Sequence, residues 1–128
     1  MTEVEFKRKT KRLALATIAL VETLPRSMTA QVIGKQLVRC ATSVGANYRA
    51  ACRGKSSADM LMKLAIVEEE SDEAIYWMEL LTEACIVPED RIRPLRDEMN
   101  EIVAMTVVSI RTLRAKATGV SANPKSQI

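Results

Sequence analysis

At 128 residues and 48% hydrophobic content, the chain has the size and apolar content of one domain with a real core, and wholesale disorder is excluded. Aromatics at 3%, with four Gly and four Pro, argue against a sandwich or barrel, which draws on aromatic and β-branched residues and frequent turns. A net charge of +3 without a single histidine removes the commonest metal ligand and the commonest general base.

That small net charge conceals segregation along the chain. Residues 1–55 carry 11 basic and 3 acidic side chains, and residues 56–110 carry 4 and 13. The last 18 residues carry 4 basic and none acidic. Such blocks either neutralise each other within the fold or face partners. Cys40, Cys52 and Cys85 form an odd, widely spaced set beside apolar residues, the pattern of reduced core cysteines. No apolar run approaches 18 residues and no start of the chain reads as a secretory leader, so the expected compartment is cytoplasmic, with no membrane partner.

In chain order, the periodicity predicts four helices. The first runs from about Val4 to Thr23, with Phe6, Leu13, Leu20 and Leu24 at heptad-like spacing, and breaks at Leu24-Pro25. Ser27 or Thr29 caps a second helix, from about Ala30 to Arg53, with Gly54 placed to end it. Ser56 or Ser57 caps a third, which reaches about Cys85 with Asp59 in its first turn. Pro88-Glu89-Asp90 opens a fourth, reaching about Lys116, with Pro94 blurring its start. The predicted fold is all-α: an antiparallel up-and-down four-helix bundle over residues 1–117, followed by a flexible C-terminal tail over 118–128.

On the second helix, Ile33, Leu37, Cys40, Val44, Asn47 and Ala51 share one stripe, the expected core seam. Opposite lie Lys35, Arg39, Arg49 and Arg53, and a flank of Gly34, Val38, Ala41 and Gly45 leaves room for another helix. The basic face reads as phosphate contact, as a solvated face, or as a face paired with the acidic third helix. On that third helix Met60, Leu64, Val67, Ser71, Ala74, Met78, Leu81 and Cys85 suffice for the core. A second stripe of Met62, Ile66, Trp77, Leu80 and Ala84 predicts an oligomer interface with further copies of the chain.

The run Glu68-Glu69-Glu70-Ser71-Asp72-Glu73 is the densest cluster of functional groups. Carboxylates on a bundle helix suggest a di-iron centre, but such centres need Glu-x-x-His on two helices. No metal or other cofactor is therefore expected. Ion pairing of Arg39 with Glu70 and Glu73 is the ordinary role, one that helps set register. No phosphate-binding glycine loop, nucleophile elbow, zinc-protease or EF-hand spacing occurs. The chain is read as a non-enzyme; a small helical enzyme working with Arg, Lys and Glu stands as the third reading.

The block Gln36-Leu37-Val38-Arg39-Cys40-Ala41-Thr42-Ser43-Val44-Gly45-Ala46-Asn47-Tyr48 resembles the second helix of the bacterial 23S rRNA intervening-sequence proteins. The likeness continues through Gly54-Lys55-Ser56-Ser57-Ala58-Asp59-Met60 and Tyr76-Trp77-Met78-Glu79-Leu80-Leu81, covering about residues 4–116. It implies an up-and-down four-helix bundle, commonly a homopentamer, with no catalytic residues to carry over. A related branch holds accessory proteins of diversity-generating retroelements, which bind a reverse transcriptase and nucleic acid. Lys7, Arg8, Lys9, Lys11 and Arg12 form an unusually basic first helix, an electrostatic footprint for nucleic acid in their own right. With Lys35, Arg39, Arg49 and Arg53 they make the predicted nucleic-acid-binding set. Few aromatics accompany them, so backbone contacts with weak sequence choice are expected, and Tyr48 reads as core. The leading reading is an oligomeric nucleic-acid-binding accessory factor; the alternative is a protein–protein adaptor for a reverse transcriptase or other partner.

Overall fold

A computed structural model describes residues 1–119, and among them there are four helices and no strand. Helix α1 spans Glu3–Val21, α2 Met28–Cys52, α3 Ser57–Glu83 and α4 Glu89–Ala117. The predicted tail lies, from residue 120 onward, outside the described residues.

Each helix start has a local cause. Thr2 and Glu5 form a reciprocal capping box on α1: Glu5 N donates to Thr2 Oγ1 at 3.2 Å and Thr2 N to Glu5 Oε2 at 3.1 Å. Of the two candidate caps on α2, Ser27 takes the role, accepting from Ala30 N at 3.1 Å, so the helix begins two residues before Ala30. Ser56 does the same for α3, accepting from Asp59 N at 3.1 Å. At α4 Pro88 precedes the first turn without a side-chain cap, and Glu89 and Asp90 complement the helix dipole. Pro94 lies inside the helix, where it has no N–H to offer the preceding turn.

Two helix ends differ from expectation. Gly54 does not take up a left-handed conformation; only Gly119 does so among the glycines. A Cβ on Gly54 would sit 2.6 Å from Met60 Cγ, so the glycine lets α3 start directly against the end of α2. The left-handed residue instead ends α3: Cys85 has φ 58°. Its N–H reaches Thr82 O at 3.0 Å and that of Ile86 reaches Leu81 O at 2.9 Å, a Schellman closure in which glycine is the usual residue. Cys85 is therefore exposed beyond the helix and not part of the core stripe, whereas Cys40 is buried and Cys52 half-buried.

The helices pack in sequence, α1 on α2, α2 on α3, α3 on α4, and α4 closes on α1 along a thinner seam. Phe6, Leu13, Leu37, Val67, Met78, Leu81, Ile92, Met99 and Ile102 are fully enclosed. The small-residue flank of α2 receives α1, with Gly34 against Val21 and Leu24 and Gly45 against Thr10. Four hydroxyls, Thr10, Thr17, Ser71 and Thr106, are buried too. Each donates to a carbonyl three or four residues back in its own helix, so none is left without a partner. Asn47, placed in the seam by its spacing, is only half-buried and donates to Ser43 O at 2.9 Å.

Candidate functional site

The beginning of α1, the end of α2, the beginning of α3 and the end of α4 meet around one cavity of about 320 Å³. Met60, Leu64, Ala51 and Leu113 supply apolar walls, and Tyr48, Cys52, Ser109, Thr112, Glu3 and Lys116 supply polar groups. Tyr48 is buried against Phe6, ring centroids 4.2 Å apart, so no face of its ring is open for stacking. Burial, followed by the nearby Cys52 thiol, holds the Tyr48 phenol neutral far above neutral pH. Burial likewise pushes the Cys52 thiol up. These groups offer hydrogen bonds at neutral pH but no thiolate and no general base.

Charge is divided between the two ends of the bundle. The half holding the cavity, residues 1–12, 46–66 and 98–119, carries 12 basic and 5 acidic side chains, a balance of +7. The other half, residues 13–45 and 67–97, carries 6 and 11, a balance of −5. What the sequence shows as blocks along the chain becomes polarity from end to end.

The predicted nucleic-acid residues do not all stand alike. Lys7 pairs with Glu3 at 3.2 Å, Lys9 with Glu101 and Arg12 with Glu98 at 3.5 Å, the last two bracing the thin α1–α4 seam. Arg8, Lys11, Lys35, Arg49 and Arg53 are exposed and have no ion-pair partner among the described residues. Lys35 belongs to the acidic end; the other four lie at the basic end. There they join Lys55, Lys63, Arg111, Arg114 and Lys116, likewise without ion pairs among the described residues. These five were missed as contacts because they lie on three segments that only the fold brings together. The run of four basic residues after position 110 was the available signal.

Arg39 is engaged elsewhere. Its guanidinium donates to Glu70 at 3.0 and 3.3 Å and to Glu73, tying α2 to α3. Cys40 donates to Glu73 at 3.1 Å and Trp77 Nε1 donates to it at 3.0 Å. Hydrogen bonds from Trp77 and Cys40, then the nearby Arg39, hold the Glu73 carboxyl below its ordinary range. Sulfur and carboxylate oxygens of Cys40, Glu70 and Glu73 lie within 4.8 Å of one another, a spacing a metal could use. The guanidinium of Arg39 bonds to all three, so the cluster's charge is met from within the chain.

The predicted interface stripe is split. Trp77 and Leu80 are half-buried and pack against the core, Ile66 is half-buried, and Met62 and Ala84 are exposed. Exposed large apolar side chains lie in both halves: Met28 at 82%, Leu15 at 60%, Val32 and Tyr76 at 53% each in the acidic half, and Val4 and Met62 at 62% each in the basic half. No helix among the described residues is long and apolar enough to cross a membrane.

The family model for the 23S rRNA-intervening sequence protein matches residues 2–108. A crystal structure of a protein of unknown function from the S23 ribosomal protein family of Bacteroides thetaiotaomicron is similar, at 30% identity and a TM-score of 0.81. The match covers 88% of this chain and 100% of that one. Among curated proteins none matches.

Proposed function

The chain belongs to the 23S rRNA-intervening sequence protein family, and we propose that it acts without catalysis, as an oligomeric accessory protein that grips the phosphate backbone of RNA or DNA through the basic end of its bundle. One observation carries this: cations from all four helices, exposed on α1, α2 and α4 and half-buried at Lys63 on α3, gather at that end without intramolecular ion pairs among the described residues. At the other end three of the six cations, Arg39, Arg93 and Arg96, are held in ion pairs. The ribosomal family of the similar solved structure favours RNA. The pairs Lys9–Glu101 and Arg12–Glu98, whose numbers run in opposite directions, support an antiparallel up-and-down course. Self-association into a homopentamer, which the family resemblance implies, would repeat the basic end around a ring and raise avidity.

The test is binding of a structured RNA at several salt concentrations, with light scattering to read the oligomer. Affinity should fall steeply, with log K linear in log salt and a slope set by the number of phosphates neutralised. Binding that ignores salt, or no binding at low salt, overturns the proposal; a monomer at all concentrations overturns the oligomer.

A second reading has its own support. Met28, Val32 and Tyr76 are exposed apolar side chains at the acidic end, the composition of a protein-docking surface. This end would then hold a protein partner, a reverse transcriptase among the candidates. Both readings can hold at once, since they use opposite ends.

A further inference from the structure

The cavity at the basic end sits where a phosphate backbone would lie in the proposed function. It is large enough for a small planar ligand, within the range of about 300–1,000 Å³ usual for small-molecule sites. Its walls are mainly apolar, from Met60, Leu64 and Leu113, while Tyr48 on α2 and Ser109 and Thr112 on α4 bring hydroxyl-bearing side chains to the lining. The Ser109 hydroxyl donates to Met105 O at 3.1 Å and so offers an acceptor, while the Thr112 hydroxyl is free to donate or accept, a set that suits the mixed edge of a heterocycle better than a plain hydrocarbon. Met60 adds a thioether, which packs well on an aromatic ring.

Charge at the mouth follows the same logic. Lys116 lines the cavity, and Arg53 directly follows Cys52, another lining residue. Glu3 would repel a phosphate, but Lys7 pairs with it at 3.2 Å. A mainly apolar cavity with hydroxyls and Lys116 in its lining, set in the basic half of the bundle, matches one nucleotide turned out of its strand, base inward and phosphate outward. Resting on the nucleic-acid reading above, we propose that this cavity takes up a single unstacked base of the bound strand. Recognition would come from burial and edge hydrogen bonds, not from stacking, because the Tyr48 ring is covered by Phe6. The versatile hydroxyls imply little choice among bases. Unpaired strands and loops should then bind better than a blunt duplex.

A short single-stranded RNA carrying 2-aminopurine tests this, with and without Thr112→Phe, which narrows the cavity at a half-buried position. The same strand with its bases removed is the second arm, and it uses the unaltered protein, so it does not depend on the variant folding. Base uptake predicts a rise in 2-aminopurine fluorescence on binding, lost in Thr112→Phe, and an affinity about tenfold lower for the abasic strand. Salt-sensitive binding with no fluorescence change and equal affinity for the abasic strand overturns the cavity proposal while leaving backbone binding intact. Failure of every strand to bind at low salt overturns both.

Discussion

The two ends of the bundle are built from the same helices and similar side chains, yet they treat their cations differently. At the acidic end Arg39 is bound to Glu70 and Glu73, Arg93 and Arg96 to Glu89, and Arg91 donates to Thr23 Oγ1 at 2.6 Å. Arg39 ties α2 to α3 and Arg91 ties α4 to the loop after α1, while Arg93 and Arg96 brace the first turns of α4 itself. At the basic end most cations have no such partner among the described residues, and the acids there are engaged already: Glu3, Glu98 and Glu101 in ion pairs, Glu5 and Asp59 with backbone N–H groups. Like charges held together in one place weaken the folded state slightly, and it is this uncompensated cluster that the proposed phosphate contact would neutralise. The acidic end, with its exposed Met28 and Tyr76, resembles a surface for protein.

The largest way to disturb this contrast is through Phe6. It is fully buried and is the packing partner of Tyr48, the residue that closes the floor of the basic-end cavity. Phe6→Ala should cost about 3–5 kcal/mol of stability by thermal or denaturant unfolding. If the loss is under about 1 kcal/mol, the basic end is not held by this pair and its cavity is not a fixed feature.

Charge reversal divides the ends directly. Arg49→Glu, Arg53→Glu and Lys116→Glu together should lower RNA affinity about 100-fold at low salt, because each reversal also repels phosphate. The single change Lys35→Glu should leave affinity within about twofold. Equal losses from both would abolish the distinction between the ends. The comparison also shows where helical spacing misleads. A wheel places Lys35, Arg39, Arg49 and Arg53 on one face, but Lys35 and Arg53 are separated by about 27 Å along the axis at 1.5 Å per residue. Angle was legible in the sequence and axial position was too, yet which helix ends meet was not, since that depends on the course of all four helices.

Much of the fold was legible because local chemistry decides it. Ser27, Ser56 and the stripe of Phe6, Leu13 and Leu20 need only their own helices to act. The pairing of Arg39 with Glu70 and Glu73 could be anticipated because two helices joined by a short loop leave one register to choose. The cavity could not, as its lining draws on four segments, none with a motif. Cys85 escaped for another reason: its apolar spacing continues the α3 stripe, but the helix has already closed at Ala84. Since Cys85 adopts φ 58° with a side chain that disfavours it, Cys85→Gly should stabilise the protein by about 1 kcal/mol, read as a higher unfolding midpoint. The change lies at the acidic end and should leave RNA affinity untouched; a loss of affinity would show the ends to be coupled.

The smallest expected effect is spectroscopic and tests whether Arg39 is a structural residue of the acidic half. Trp77 is the only tryptophan, and its Nε1 donates to Glu73, the carboxylate shared with Cys40 and Arg39. Those hydrogen bonds hold the folded-state Glu73 carboxyl below its ordinary value of 4.5. A group depressed in this way contributes stability that is present above the unfolded value and is lost as pH falls through the lower, folded one. Trp77 emission should therefore stay constant from neutral pH down to about 4.5 and change only below it. Glu73→Gln, which keeps an acceptor for the indole but cannot ionise, should remove that step. A transition centred above 4.5, or one that survives Glu73→Gln, would mean that the cluster is not assembled in solution; Arg39 would then be free to join the other cations as a phosphate contact.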